Sequence, residues 1–98
     1  MKFVVAFEID AEIEYLEAVE WYENESAGLG SDLINAVDDC LNVLRRNAYF
    51  ELRYRDLRIL NIKGFPYQLI YKISENEITI ISFFHGHRDP EIWKGKSK

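Results

Sequence analysis

The residues of this chain best suited to chemistry gather near its C-terminal end, at His85-Gly86-His87-Arg88-Asp89-Pro90. Histidine titrates near neutrality and can give or take a proton, and arginine is a permanent, bidentate partner for phosphate. Together with Arg58, the set His85, His87 and Arg88 could fill the roles that metal-free RNA cleavage requires. Those are deprotonation of the 2′-OH, stabilisation of the phosphorane charge and protonation of the leaving oxygen. The same residues also allow a purely structural role, in which His85 completes and caps the last strand and Arg88 pairs with Asp89 or Glu91.

Other chemistries find less support. His85 and His87 are two residues apart, which places them on opposite faces of a strand, and Cys40 is far away on an apolar helical stripe. No metal site and no cofactor are therefore expected. A thiol on such a stripe is inert as a nucleophile. Gly28-Leu29-Gly30 lacks the rest of a phosphate-binding glycine loop.

The elements that position these groups begin with three runs rich in β-branched and aromatic residues: 57–62, 67–73 and 77–84. Turn residues at Lys63-Gly64-Phe65-Pro66 and Ser74-Glu75-Asn76 separate them, which predicts an antiparallel meander. Strict alternation would set Ile78, Ile80, Ser82 and Phe84 on one face, and Thr79, Ile81, Phe83 and His85 on the other. Both faces are then apolar, so a chain with one good cover leaves the second face as a candidate partner site. Tyr49, Phe50, Tyr54, Phe65, Tyr67 and Tyr71 gather at the sheet entrance and in its second run, mostly as core. Tyr67 and Tyr71 share a face and, beside arginines, have a composition common in interfaces.

Upstream, Lys2 to Phe7 reads as a first strand and Asp10 as a helix cap. Ala11, Tyr15, Ala18, Val19 and Tyr22 then form a helical stripe, with Glu12, Glu14, Glu17 and Glu20 largely off it as a solvated face. Glycines at 28 and 30 end that helix, and Ser31 or Asp32 caps a second, whose stripe is Leu33, Val37, Cys40, Leu41 and Leu44. Two helices with a short connection form an antiparallel hairpin. The arginine-rich stretch 45–56 reads as an irregular connection, Glu91-Ile92-Trp93 as a single turn, and 94–98 as a frayed basic tail. The fold class is α+β: an N-terminal strand, a two-helix hairpin and a three-stranded antiparallel meander, in one domain spanning 1–98.

The net charge of −5 conceals an asymmetry. Residues 1–44 hold one base against eleven acids, and residues 45–98 hold eleven bases against six acids. Such a two-sided molecule steers a charged partner to one face only. The single cysteine excludes an internal disulfide and fits a reducing compartment. No run approaches the roughly 18 apolar residues of a membrane span, and the apolar start is too short for a secretory signal, so a cytoplasmic location is expected.

The order of elements and several local words resemble the RelE/ParE superfamily of toxins from type II toxin–antitoxin modules. The words are Trp21-Tyr22, Gly28-Leu29-Gly30, Asn47 through Tyr54, Arg58, Lys63 with Phe65-Pro66-Tyr67, and His85 with Arg88-Asp89-Pro90-Glu91. The resemblance covers residues 2–93 and is closer to ParE-like and plasmid-stabilisation proteins than to the RelE branch. Ala48 departs from the family, which often has proline there. The resemblance implies a growth-inhibiting toxin neutralised by a cognate antitoxin. The ParE branch is associated with poisoning DNA gyrase, and the RelE branch with cutting messenger RNA on the ribosome. A toxin-fold protein without activity, acting only as a binding module, is a further alternative.

On the ParE-like reading Arg53, Arg58, Tyr67, His85 and Arg88 bind the target, with the arginines and His85 on one basic surface at the end of the sheet. The chain then acts by binding and is not an enzyme. On the RelE-like reading Arg58, His85, His87 and Arg88 are the candidate catalytic groups. Two features weigh against a ribosomal substrate: the acidic half repels a polyanion, and beyond Arg88 only Trp93 could stack on a base, where the RelE branch commonly carries an aromatic or acid–base group.

Overall fold

A computed structural model describes residues 3–86. In chain order these form β1 (Val4–Phe7), α1 (Ile9–Glu25), α2 (Leu29–Arg46), β2 (Leu52–Tyr54), β3 (Leu57–Asn61), β4 (Tyr67–Ser74) and β5 (Glu77–His85). The expected turn at 91–93, the tail at 94–98, and His87 and Arg88 lie outside the described residues.

The strands make one five-stranded sheet in the order β1-β5-β4-β3-β2. The expected meander is present as β3 to β5, all antiparallel. Two features extend the sequence reading. β1 pairs with β5 in parallel, Val5 opposite Ile78 and Phe7 opposite Ile80, so the sheet is mixed. A parallel neighbour requires a long crossover, and the helical hairpin with the first strands of the meander supplies it. The second addition is β2, within a stretch read as irregular. It has three residues, pairs Leu52 with Arg58 and Tyr54 with Leu57, and carries a register shift. So short a strand shows no period of two, and Arg55, at φ 53°, makes the tight turn into β3.

The hairpin packs on one face of the sheet. Leu33, Val37, Cys40, Leu41 and Leu44 of α2 are all buried, as their spacing predicts, against Leu69, Tyr71, Ile78, Ile80 and Phe83. On the opposite face Leu57, Ile70, Ile81 and Phe84 form a second cluster with Tyr54 and Ile59 at its margin. These four are at most 4% exposed, so that face does not present the open apolar surface expected of it.

Both helix starts differ from the sequence reading. α1 begins at Ile9 with Glu8 as its N-cap, which leaves Asp10 inside the first turn, where its charge favours the positive helix end. α2 begins at Leu29, three residues earlier than a Ser31 cap would allow. Its free N–H groups are met from the other helix instead. The Glu23 carboxylate accepts from Gly28 N at 3.0 Å and from Gly30 N at 3.0 Å. Gly28 is left-handed at φ 92°, and a Cβ on Gly30 would stand 2.9 Å from the Val19 carbonyl oxygen, so both turn positions demand glycine.

A bulge resets the last strand. Ile70 pairs with Ser82 but Tyr71 with Ile80, so Ile81 is the extra residue. The alternation read from the sequence therefore breaks in mid-strand. Phe83 joins Ile78 and Ile80 in the helix-side core, and Phe84 joins Ile81 in the opposite cluster.

Leu44→Ala, at a fully buried position, should cost about 2–5 kcal/mol in urea denaturation. Ile9→Ala, at a position 75% exposed on the outer side of α1, should change stability by less than about 0.5 kcal/mol in the same assay.

Candidate functional site

β5 outruns its neighbour, and that mismatch builds the site. β1 pairs only as far as Ile80, whose carbonyl accepts the last bond from Glu8 N at 2.9 Å, and the chain then turns into α1. β5 continues to His85, and among the described residues no strand pairs with it on that flank beyond Ile80. A buried N–H left without an acceptor is costly, and here α1 provides one. Glu14 Oε1 accepts from Phe83 N at 3.0 Å and from Ser82 Oγ at 3.3 Å.

Between α1 and this end of the sheet lies a groove of about 360 Å³, lined by Glu14, Glu17, Trp21, Tyr22, Tyr67 and His85, with Phe83 at its base. Tyr67 and His85 are paired across β4 and β5, with their rings 5.1 Å apart edge to face. Tyr67 stacks on Phe83 at 4.6 Å, and the Tyr22 ring stands 6.3 Å away from it. Trp21 meets Tyr22 at 4.9 Å and is 56% exposed.

The other candidate residues sit elsewhere. Arg58 pairs with Tyr71 across β3 and β4, on the same face as Tyr67 but four residues further along β4, or about 13 Å. Its Nε donates to the Phe50 carbonyl at 2.7 Å, and its guanidinium lies 5.3 Å over the Tyr49 ring. The Tyr71 hydroxyl donates to the Ala48 carbonyl at 2.8 Å, so the two side chains together hold residues 48–50 against the sheet. Burial pushes the Tyr71 phenol up to about 12, with the Arg58 charge and the Phe50 backbone bond offsetting part of the rise. Arg53 is exposed on the edge strand β2. Tyr67 and His85 are thus brought together, and Arg53 and Arg58 lie towards the β2 edge.

Glu14, Glu17, Trp21 and Tyr22 were not candidate site residues in the sequence. Glu14 meets Phe83 from 69 positions away, which no local pattern reveals. A local signal does exist on the other side of α1: Ile9, Ile13 and Leu16 recur at helical spacing opposite the core stripe and are 75, 49 and 57% exposed. Among the described residues no group of three or more His, Cys, Asp or Glu is placed to hold a metal. Cys40 donates to the Asn61 carbonyl at 3.4 Å, and burial raises its pKa, so its thiol is held un-ionised.

No protein-family model and no curated protein sequence matches the chain. Solved structures do match. A chain of the chromosomal ParDE toxin–antitoxin system from P. aeruginosa superposes with a TM-score of 0.73 at 11% identity, over 86% of this chain and 96% of that one. A chain of the YoeB dimer from Staphylococcus aureus superposes with a TM-score of 0.56 at 14% identity, over 85% and 95%. The fold expected from the RelE/ParE resemblance is the fold observed.

Glu14→Ala removes the acceptor of a buried N–H and should cost about 1–3 kcal/mol, with faster hydrogen exchange at the Phe83 amide; Glu14→Gln, which keeps an acceptor, should lose less than half of that. A second outcome concerns pH. Because the folded Tyr71 phenol titrates at about 12 against about 10 when unfolded, the folded state binds the extra proton between those values. Its contribution is fully present below about pH 10 and falls as pH rises towards 12. Urea denaturation from pH 9 to 11.5 should show this decline in the wild type and a shallower one in Tyr71→Phe.

Proposed function

We propose that the chain is the toxin of a type II toxin–antitoxin module, acting in the cytoplasm and neutralised by a cognate antitoxin. Its target in this reading is DNA gyrase, as the ParE-like resemblance implies, with no reaction catalysed. The observation that carries the reading is the superposition on the ParDE chain, with a higher TM-score than on YoeB and nearly the whole of both chains covered. The exposed stripe Ile9, Ile13 and Leu16 supports a partner on α1, since three apolar side chains at helical spacing with no internal cover suit an amphipathic segment.

Recognition is favoured over RNA cleavage by the surroundings of His85. The groove beside it is walled by Glu14 and Glu17, which repel a phosphate, and Arg58 already spends Nε on a backbone carbonyl. Target contact is assigned to Arg53, Arg58, Tyr67, His85 and Arg88. The RelE-like alternative, a metal-independent endoribonuclease acting on ribosome-bound messenger RNA, draws on the YoeB superposition and uses Arg58, His85, His87 and Arg88.

Inducing the chain alone should arrest growth with a DNA-damage response while translation continues, and coexpression with the small protein of the adjacent reading frame should relieve the arrest and yield a stable complex. His85→Gln keeps hydrogen-bonding capacity and should retain most toxicity, whereas loss of a proton-transfer group would remove about 10²–10⁴-fold in rate. Messenger RNA cleavage abolished by His85→Gln would transfer the reading to the RelE-like alternative. Induction without any effect on growth would leave only a binding module with the toxin fold.

A further inference from the structure

The groove beside His85 has a chemical character of its own. Its walls combine the rings of Trp21, Tyr22 and Tyr67 with the carboxylates of Glu14 and Glu17, and among the described residues no lysine or arginine lines it. Aromatic faces attract cations through their quadrupole, and carboxylates beside them strengthen that preference. Glu14 is half-buried, and its Oε1 accepts from Phe83 N and Ser82 Oγ. A carboxylate held in this way is stabilised by an incoming counter-charge, because desolvation has already been incurred on folding. The volume, about 360 Å³, is at the lower end of the roughly 300–1,000 Å³ of small-molecule pockets, so it suits one long side chain.

We propose that this groove receives an arginine side chain from the partner segment that docks across α1. The guanidinium stacks on the aromatic wall, and its N–H groups donate to Glu14 and Glu17. Charge complementarity selects this occupant. α1 carries acids at 10, 12, 14, 17, 20, 23 and 25 and no base, so a segment laid on its exposed Ile9, Ile13 and Leu16 stripe is favoured when it presents apolar and basic residues together. The proposal rests on the antitoxin reading for the origin of the arginine, and on the groove alone for its chemistry.

The test uses the full chain, ¹⁵N-labelled at pH 8, titrated with N-acetylarginine amide and, in parallel, with its neutral isostere N-acetylcitrulline amide. The arginine derivative should shift the Trp21 indole N–H and the Phe83 amide saturably, with a Kd on the order of 1–10 mM, and the citrulline derivative should bind at least about ten-fold more weakly. Glu17→Gln and Glu14→Gln should each weaken the arginine response about three- to ten-fold, and Trp21→Ala, at an exposed position, should abolish it. Retained spectral dispersion shows that each variant is folded. No saturable shift at Trp21, an equal response to citrulline, or arginine shifts that persist in Trp21→Ala would each overturn the assignment, the last by pointing to diffuse attraction over the acidic face. The growth assay is read separately. Arginine binding without growth arrest removes the toxin reading and leaves the pocket, and growth arrest without arginine binding does the reverse.

Discussion

The structure depends on an unequal pairing: a four-residue parallel strand beside a nine-residue one. β1 and β5 come from opposite ends of the chain, and joining them closes the helical hairpin onto the sheet. Because β1 stops at Phe7, the far half of β5 needs another source of acceptors on that flank. Glu14 supplies it, which ties the second turn of α1 to the C-terminal half of β5. The groove, the Tyr67–His85 pair and the position of Trp21 all follow from where that tie holds the helix.

A similar long-range exchange governs the hairpin. α2 has no capping side chain of its own, and Glu23 of α1 accepts from Gly28 and Gly30. Acidic residues that look like a uniform solvated face thus fall into two groups. Glu14 and Glu23 are structural acceptors, and others, such as Glu12 and Glu20, are exposed charge. The distinction matters for function, because Glu14 is fixed in place on the wall of the groove, whereas a flexible acidic surface contributes mainly to long-range steering.

At the other end of the sheet, arginine and tyrosine do structural work. Arg58 and Tyr71 hold residues 48–50 through two backbone carbonyls, at and beside Ala48, where the superfamily that the sequence resembles often has proline. Those two side-chain bonds restrain the loop without a proline ring. The basic half of the molecule is therefore not wholly free for a partner: Arg58 is partly committed, while Arg53 stands exposed on the edge strand.

The sequence by itself determined the local elements. The three-four spacing of Leu33, Val37, Cys40, Leu41 and Leu44 specified a core-facing helix, and the three β-rich runs with their turns specified the meander, because both depend on periodicities that neighbouring residues express directly. The family resemblance, read from ordered short words, specified the fold. The tertiary structure decided what depends on residues far apart in the chain: the parallel pairing of β1, the three-residue β2, the bulge at Ile81 that moved Phe83 to the helix side, and the capping of α2 by Glu23. It also decided the groove, because Glu14 and Phe83 are brought together only after strands from both ends of the chain have paired, and a contact of that separation leaves no trace in local pattern.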